Sequence, residues 1–165
     1  MRLEGYGIGA ELPSGWEGRI FRLFGGWPTL HVANFPLPPT DGEFGSVALS
    51  AMGSSGVFMA LTEYAPRLAG RGLFGSRAVS RSLAATDFDS HVMVRMHPGR
   101  FGVQRFFTVG ARAFCLHVVV ESLPSVGQLA AGATSILSGL RIDPDFTSPG
   151  PDAAPEADQG SLRWM

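Results

Sequence analysis

Few side chains in this chain could do chemistry, and their spacing decides how much. The histidines are His31, His91, His97 and His117, and the single cysteine is Cys115. His91 and His97 share the parity of one extended segment and flank Arg95, so the three could line one pocket. No Asp, Glu or Cys completes a metal-ligand spacing beside them, and hydrogen-bonded or surface imidazoles are the expected reading. Cys115 and His117 are two residues apart on one strand face, about 7 Å at the usual rise per residue. That is too far for a thiolate–imidazolium pair, so Cys115 reads as a buried, inert thiol. His117, opposite Gln104, reads as a cross-strand hydrogen bond.

Serine and phosphate chemistry find no better footing. Gly53-Ser54-Ser55-Gly56 lacks the strand–turn–helix setting of a nucleophile elbow. Gly5-Tyr6-Gly7-Ile8-Gly9 lies within an extended run and opens no helix, so it is no phosphate cradle. One charged residue stands out: Arg105 points toward the apolar face beside Leu116 and needs a carboxylate. Glu63, in the apolar run 57–64, is its expected partner. Glu63, His91, Arg95 and Arg105 are therefore the candidate ligand pocket. No catalytic residue, metal site or cofactor is read from the chain.

The elements that must hold these residues follow from period and punctuation. Residues 5–12 alternate Tyr6, Ile8, Ala10 and Leu12 and predict a strand, with further strands over 16–24 and 28–35. Pro36, Pro38 and Pro39 end the third. Residues 43–52 fit a helix and a strand equally; 57–64 predicts a buried strand. Residues 66–90 have no period and read as a long exposed connection, the kind of segment that often carries function; 91–97 could form one more strand. A two-residue Gly110-Ala111 turn pairs Val109 with Arg112, Phe107 with Phe114 and Val103 with Val118. That puts Val103, Phe107, Phe114, Leu116, Val118 and Val120 on the core face. Pro124 suits a helix start, and Val126, Leu129, Ala130, Ala133, Ile136, Leu137 and Leu140 form an apolar stripe that docks on the sheet.

Composition sets the outer limits. The 165 residues, 45% apolar and 16% charged, suit one folded domain rather than a disordered chain. A net charge of −1 makes no electrostatic case for nucleic acid or an anionic membrane. All thirteen basic residues are arginine, a bias that fits GC-rich coding. One cysteine excludes a disulfide framework within the chain, and neither a secretory leader nor a membrane-length apolar run is read, so a cytoplasmic protein is expected. Residues 143–160 have the composition of a disordered acidic linker. The terminal Leu162, Arg163, Trp164 and Met165 read as a docking peptide.

Gly5-Tyr6-Gly7-Ile8 running into Leu12-Pro13-Ser14-Gly15-Trp16, the closing hairpin 104–120, and the helix ending Ile136-Leu137-Ser138-Gly139-Leu140-Arg141-Ile142 resemble the PsbP-like α/β sandwich family. That family includes the extrinsic PsbP subunit of photosystems, the Mog proteins and many small actinobacterial proteins. The likeness covers the first fifth and last third of the folded part; Phe74 to Asp89 matches nothing in it. It implies an α+β fold, an antiparallel sheet flanked by helices over 1–142, with a flexible tail over 143–165. It also implies a non-enzymatic binding or assembly role. The expected partner is another protein, with no nucleic acid and no membrane insertion, and self-association is left open. The alternative is a small-ligand binder or enzyme working at His91, Arg95 and Arg105.

Overall fold

The computed structural model describes residues 1–91, 99–121 and 126–153. The fold is α+β, built on two antiparallel sheets. Strands β1 (Arg2–Gly5), β2 (Ile8–Glu11) and β8 (Arg141–Ile142) form a small sheet in the order β1-β2-β8. Strands β3 (Glu17–Phe21), β4 (Thr29–Ala33), β5 (Val57–Tyr64), β6 (Phe101–Val109) and β7 (Arg112–Val120) form the main sheet in the order β3-β4-β5-β7-β6. The expected single strand over 5–12 is corrected to a hairpin. Tyr6 and Gly7 both adopt positive φ, 52° and 68°, which is the backbone of a two-residue hairpin turn. The alternating glycines imitate one continuous strand.

The closing hairpin has the expected register, with Val109 opposite Arg112, Phe107 opposite Phe114 and Val103 opposite Val118. Gly110 takes φ 60° while Ala111 stays at negative φ, as a turn with glycine first requires. The central strands β5 and β7 are buried along almost their whole length. Helix α2 (Val126–Gly139) lies over the face carrying Leu30, Leu61, Leu116 and Val118 and buries Ala130, Ala133, Ile136 and Leu137 there.

The other face of the main sheet is covered as well. The ambiguous stretch 43–52 holds a short helix, α1 (Ser46–Ala51), packed with Leu49 and Met52 on Ala33, Phe58, Ala60 and Val119. Helix wins over strand because the Asp41 carboxylate accepts hydrogen bonds from the Val47 and Ala48 amides. Those are donors that a helix start otherwise leaves unpaired.

Two stretches read as loose connections are tied down. Residues 66–90 contain three 3₁₀ turns, Pro66–Leu68, Gly72–Gly75 and Ala85–Asp87, and bury Phe74, Leu83 and Phe88. Thr108 donates its amide to the Ser76 carbonyl, and Asp89 and Gly102 exchange backbone bonds. The connection thereby caps both ends of the otherwise open β6 edge.

The packed chain also continues past Ile142, where the folded part was expected to end. The Asp143 amide donates to the Gly7 carbonyl, and Arg22 donates to the carbonyls of Gly150 and Ala153. Residues 154–165, with the expected docking peptide Leu162, Arg163, Trp164 and Met165, lie outside the described residues, as do Arg95 and His97 in 92–98. Among the described residues no helix is long and apolar enough to cross a membrane.

Candidate functional site

Glu63 is buried at one end of the α2 face, opposite Phe114 of β7. Its partner is Arg112, which corrects the expected Glu63–Arg105 pair. Arg112 donates Nε to Glu63 Oε1 at 3.0 Å and Nη2 to Oε2 at 2.8 Å; the two side chains are 3% and 1% exposed. The remaining guanidinium hydrogens reach the carbonyls of Tyr6, Gly7 and Asp143 at 2.8, 3.3 and 3.1 Å. All five N–H donors of the side chain are thus used. Ser148 donates its hydroxyl to Glu63 Oε2 at 2.6 Å, and the rings of Phe114 and Phe146 stand 5.0 and 5.2 Å from the guanidinium carbon. This is a knot joining both sheets to the chain after β8, with its hydrogen-bonding capacity spent inside the fold.

The register explains why the pair was missed. β5 pairs with β7, not with its sequence neighbour β6, so Arg112 sits diagonal to Glu63 within reach of a long side chain. Arg105 does stand opposite Leu116 on the core-facing side of β6. It is at the sheet edge, however, and meets Asp87 of the third 3₁₀ turn at 3.2 Å, both partly exposed. His91 is exposed and bonded to its own neighbour Asp89 at 2.8 Å. The three described members of the expected pocket therefore turn to three separate partners.

On the α1 face, one row of the sheet reads Arg19, His31, Ala60, His117 and Gln104 across β3, β4, β5, β7 and β6. His31 Nε2 donates to the Glu43 carbonyl at 2.9 Å, and the ring lies edge-on to Phe21 and Phe58. Its Nδ1, and Nε2 of His117, are buried without a hydrogen-bond partner. Gln104 donates to Cys115 Sγ at 3.7 Å, not to His117 as expected. Burial pushes the Cys115 thiol up to about 11, so it is a packed, protonated thiol. Among the described residues no group of three or more His, Cys, Asp or Glu could hold a metal ion. Between α2 and the sheet, Leu30, Leu61, Leu116, Ile136 and Leu137 line a small, wholly apolar void.

No family model, curated protein or solved structure matches this chain. The functional reading therefore rests on what the surface presents, and the β5–β6 connection presents most. Phe74 is buried between the rings of Tyr64 and Phe106, each centroid 5.3 Å away. Thr108 accepts from the Gly70 amide and donates to the Phe74 carbonyl. Leu73, next in chain to that anchor, is 71% exposed. Arg67, Arg71 and Arg77 flank it in the chain, all exposed. One signal could have singled this segment out: between Glu63 and Asp87 the chain carries four arginines and no acidic residue. A whole-chain charge near zero conceals it.

The buried histidines set an expectation for pH. His31 is held below the ordinary histidine value, first by burial; its bond to the Glu43 carbonyl and the charge of Asp41 oppose this, and Arg19 adds to it. Burial alone lowers His117. An unfolded histidine titrates near 6.5. As pH falls through about that value the unfolded chain takes up protons that the folded chain refuses, so stability declines until the folded values are reached. His117→Leu, which removes one buried imidazole, is expected to lose less stability than the parent between pH 7.5 and 5.5 in urea titrations. An equal loss in both proteins contradicts this account.

Proposed function

We propose that this chain is a binding or assembly domain that engages another protein through the connection between β5 and β6. The observation that carries the reading is the pinned display of Leu73. The residue after it is locked between two rings, its supporting turn is tied to Thr108, and Leu73 itself is left to solvent. A lone surface leucine is ordinary. One held on a pre-ordered turn and bordered by arginines has the make-up of a contact surface, because ordering a loop in advance removes part of the cost of association. The resemblance to the PsbP-like family, whose usual role is binding or assembly, supports the same reading.

A photo-crosslinking residue placed at position 73 tests it in the protein's native cells, with position 24 as control. Phe24 is 84% exposed and lies at the turn between β3 and β4, so exposure alone predicts adducts at both positions. The expected result is one defined protein adduct at 73 that is absent at 24. No adduct at 73, or the same adducts at both, overturns the proposal.

A further inference from the structure

We infer that what this connection binds is a carboxylate-rich protein segment carrying an apolar side chain, held by Arg67, Arg71 and Arg77, which flank Leu73 in the chain. The inference rests on the proposed function and adds the chemistry of the partner. Its ground is how the fold employs arginine. Arg2, Arg100, Arg105, Arg112 and Arg141 each pair with a carboxylate. Arg19 donates to the carbonyls of Pro38 and Pro39, Arg22 to those of Gly150 and Ala153, and Arg81 to those of Ser138 and Leu140 at the end of α2. Arg67, Arg71 and Arg77 are the described arginines left over, and no carboxylate or carbonyl of the described residues receives them. All three fall in one pinned segment.

Two of the three are brought close by the fold. A side chain added at Gly70 would meet the Arg77 guanidinium at 3.4 Å, so Arg77 folds back over the turn that carries Arg71. The stretch between Glu63 and Asp87 supplies no acid that could neutralise them. Guanidinium groups bind carboxylates through two parallel hydrogen bonds, and Leu73 offers an apolar contact beside them. An extended polyanion fits less well. The rest of this chain is acidic on balance, and a membrane or nucleic acid would bring that acidic surface within the roughly 8–10 Å over which charges act at moderate salt. A short acidic segment touches the arginines alone.

The test is fluorescence anisotropy on the full chain with a fluorescein-labelled decapeptide of glutamates interrupted by one leucine and one phenylalanine, beside its glutamine counterpart. The glutamate peptide is expected to bind about tenfold more tightly than the glutamine one, and to weaken as salt screens the charges. The triple variant Arg67→Gln, Arg71→Gln, Arg77→Gln should lose about tenfold. Its far-ultraviolet circular dichroism should not change, since all three side chains are exposed. Arg141→Gln should bind like the parent. Equal binding of the two peptides, an unaffected triple variant, or preferential binding to phosphatidylserine vesicles overturns the inference. The two proposals separate cleanly. If the adduct at position 73 survives in the triple variant, the binding role stands and the acidic partner falls; if no adduct forms at 73, the binding role falls first.

Discussion

Arg112→Met is expected to lower the free energy of unfolding by about 3–5 kcal/mol, because it leaves the Glu63 carboxylate buried without its counter-charge. The comparison that gives the prediction force is the double variant Glu63→Leu with Arg112→Met. For many buried ion pairs, replacing both partners with apolar groups costs little, since neither charge then has to leave water. Here that rescue should fail in large part. Arg112 also supplies hydrogen bonds to the carbonyls of Tyr6, Gly7 and Asp143, and methionine supplies none. These bonds are only part-buried, and each is worth about 0.5–1.5 kcal/mol net, so the double variant should remain at least about 1.5 kcal/mol below the parent. Urea denaturation at neutral pH measures all three proteins. Arg141→Met is the control: its pair with Glu11 is more than half exposed on both sides, and its loss should cost within about 1 kcal/mol. Were Arg112→Met no worse than Arg141→Met, the knot would have to be written off as a stabilising device.

That knot also marks where the sequence stops being legible. The hairpin of β6 and β7 can be read because a two-residue turn sets the register and strict alternation sets the faces. α2 can be read because its apolar stripe repeats every three or four residues. Glu63 stands in a strand that pairs across the chain with β7, and nothing local names that neighbour. Residues 143–153 have an unstructured composition, yet they are held through main-chain carbonyls that receive Arg112 and Arg22; composition carries no trace of a carbonyl's partner. The β5–β6 connection lacks a period because 3₁₀ turns and the Thr108 hydroxyl order it, with no repeating apolar face. Its acid-free run of arginines was there to be read. Averaging charge over the whole chain is what hid it.

Gly45→Ala is expected to cost about 2–5 kcal/mol, for two reasons that can be measured apart. Gly45 begins α1 at φ 71°, where a side chain costs roughly 1–2 kcal/mol. A Cβ there would also lie 2.1 Å from the Cζ of Phe58, inside a ring that belongs to the second core; such overpacking adds typically about 1–3 kcal/mol. Gly25 supplies the separation, since it has the same φ of 71° with nothing within 4 Å of its added Cβ. Gly25→Ala should therefore show the backbone cost alone, and the excess in Gly45→Ala reports the clash with Phe58. The excess should also reach beyond the helix. Glu43 lies two residues before Gly45, and its carbonyl receives both His31 Nε2 and the Thr62 hydroxyl, so shifting this turn loosens the one hydrogen bond that the His31 ring makes. Equal losses in the two variants, read from urea midpoints at one pH, would mean that α1 yields freely over Phe58 and that the second core is softer than its burial implies.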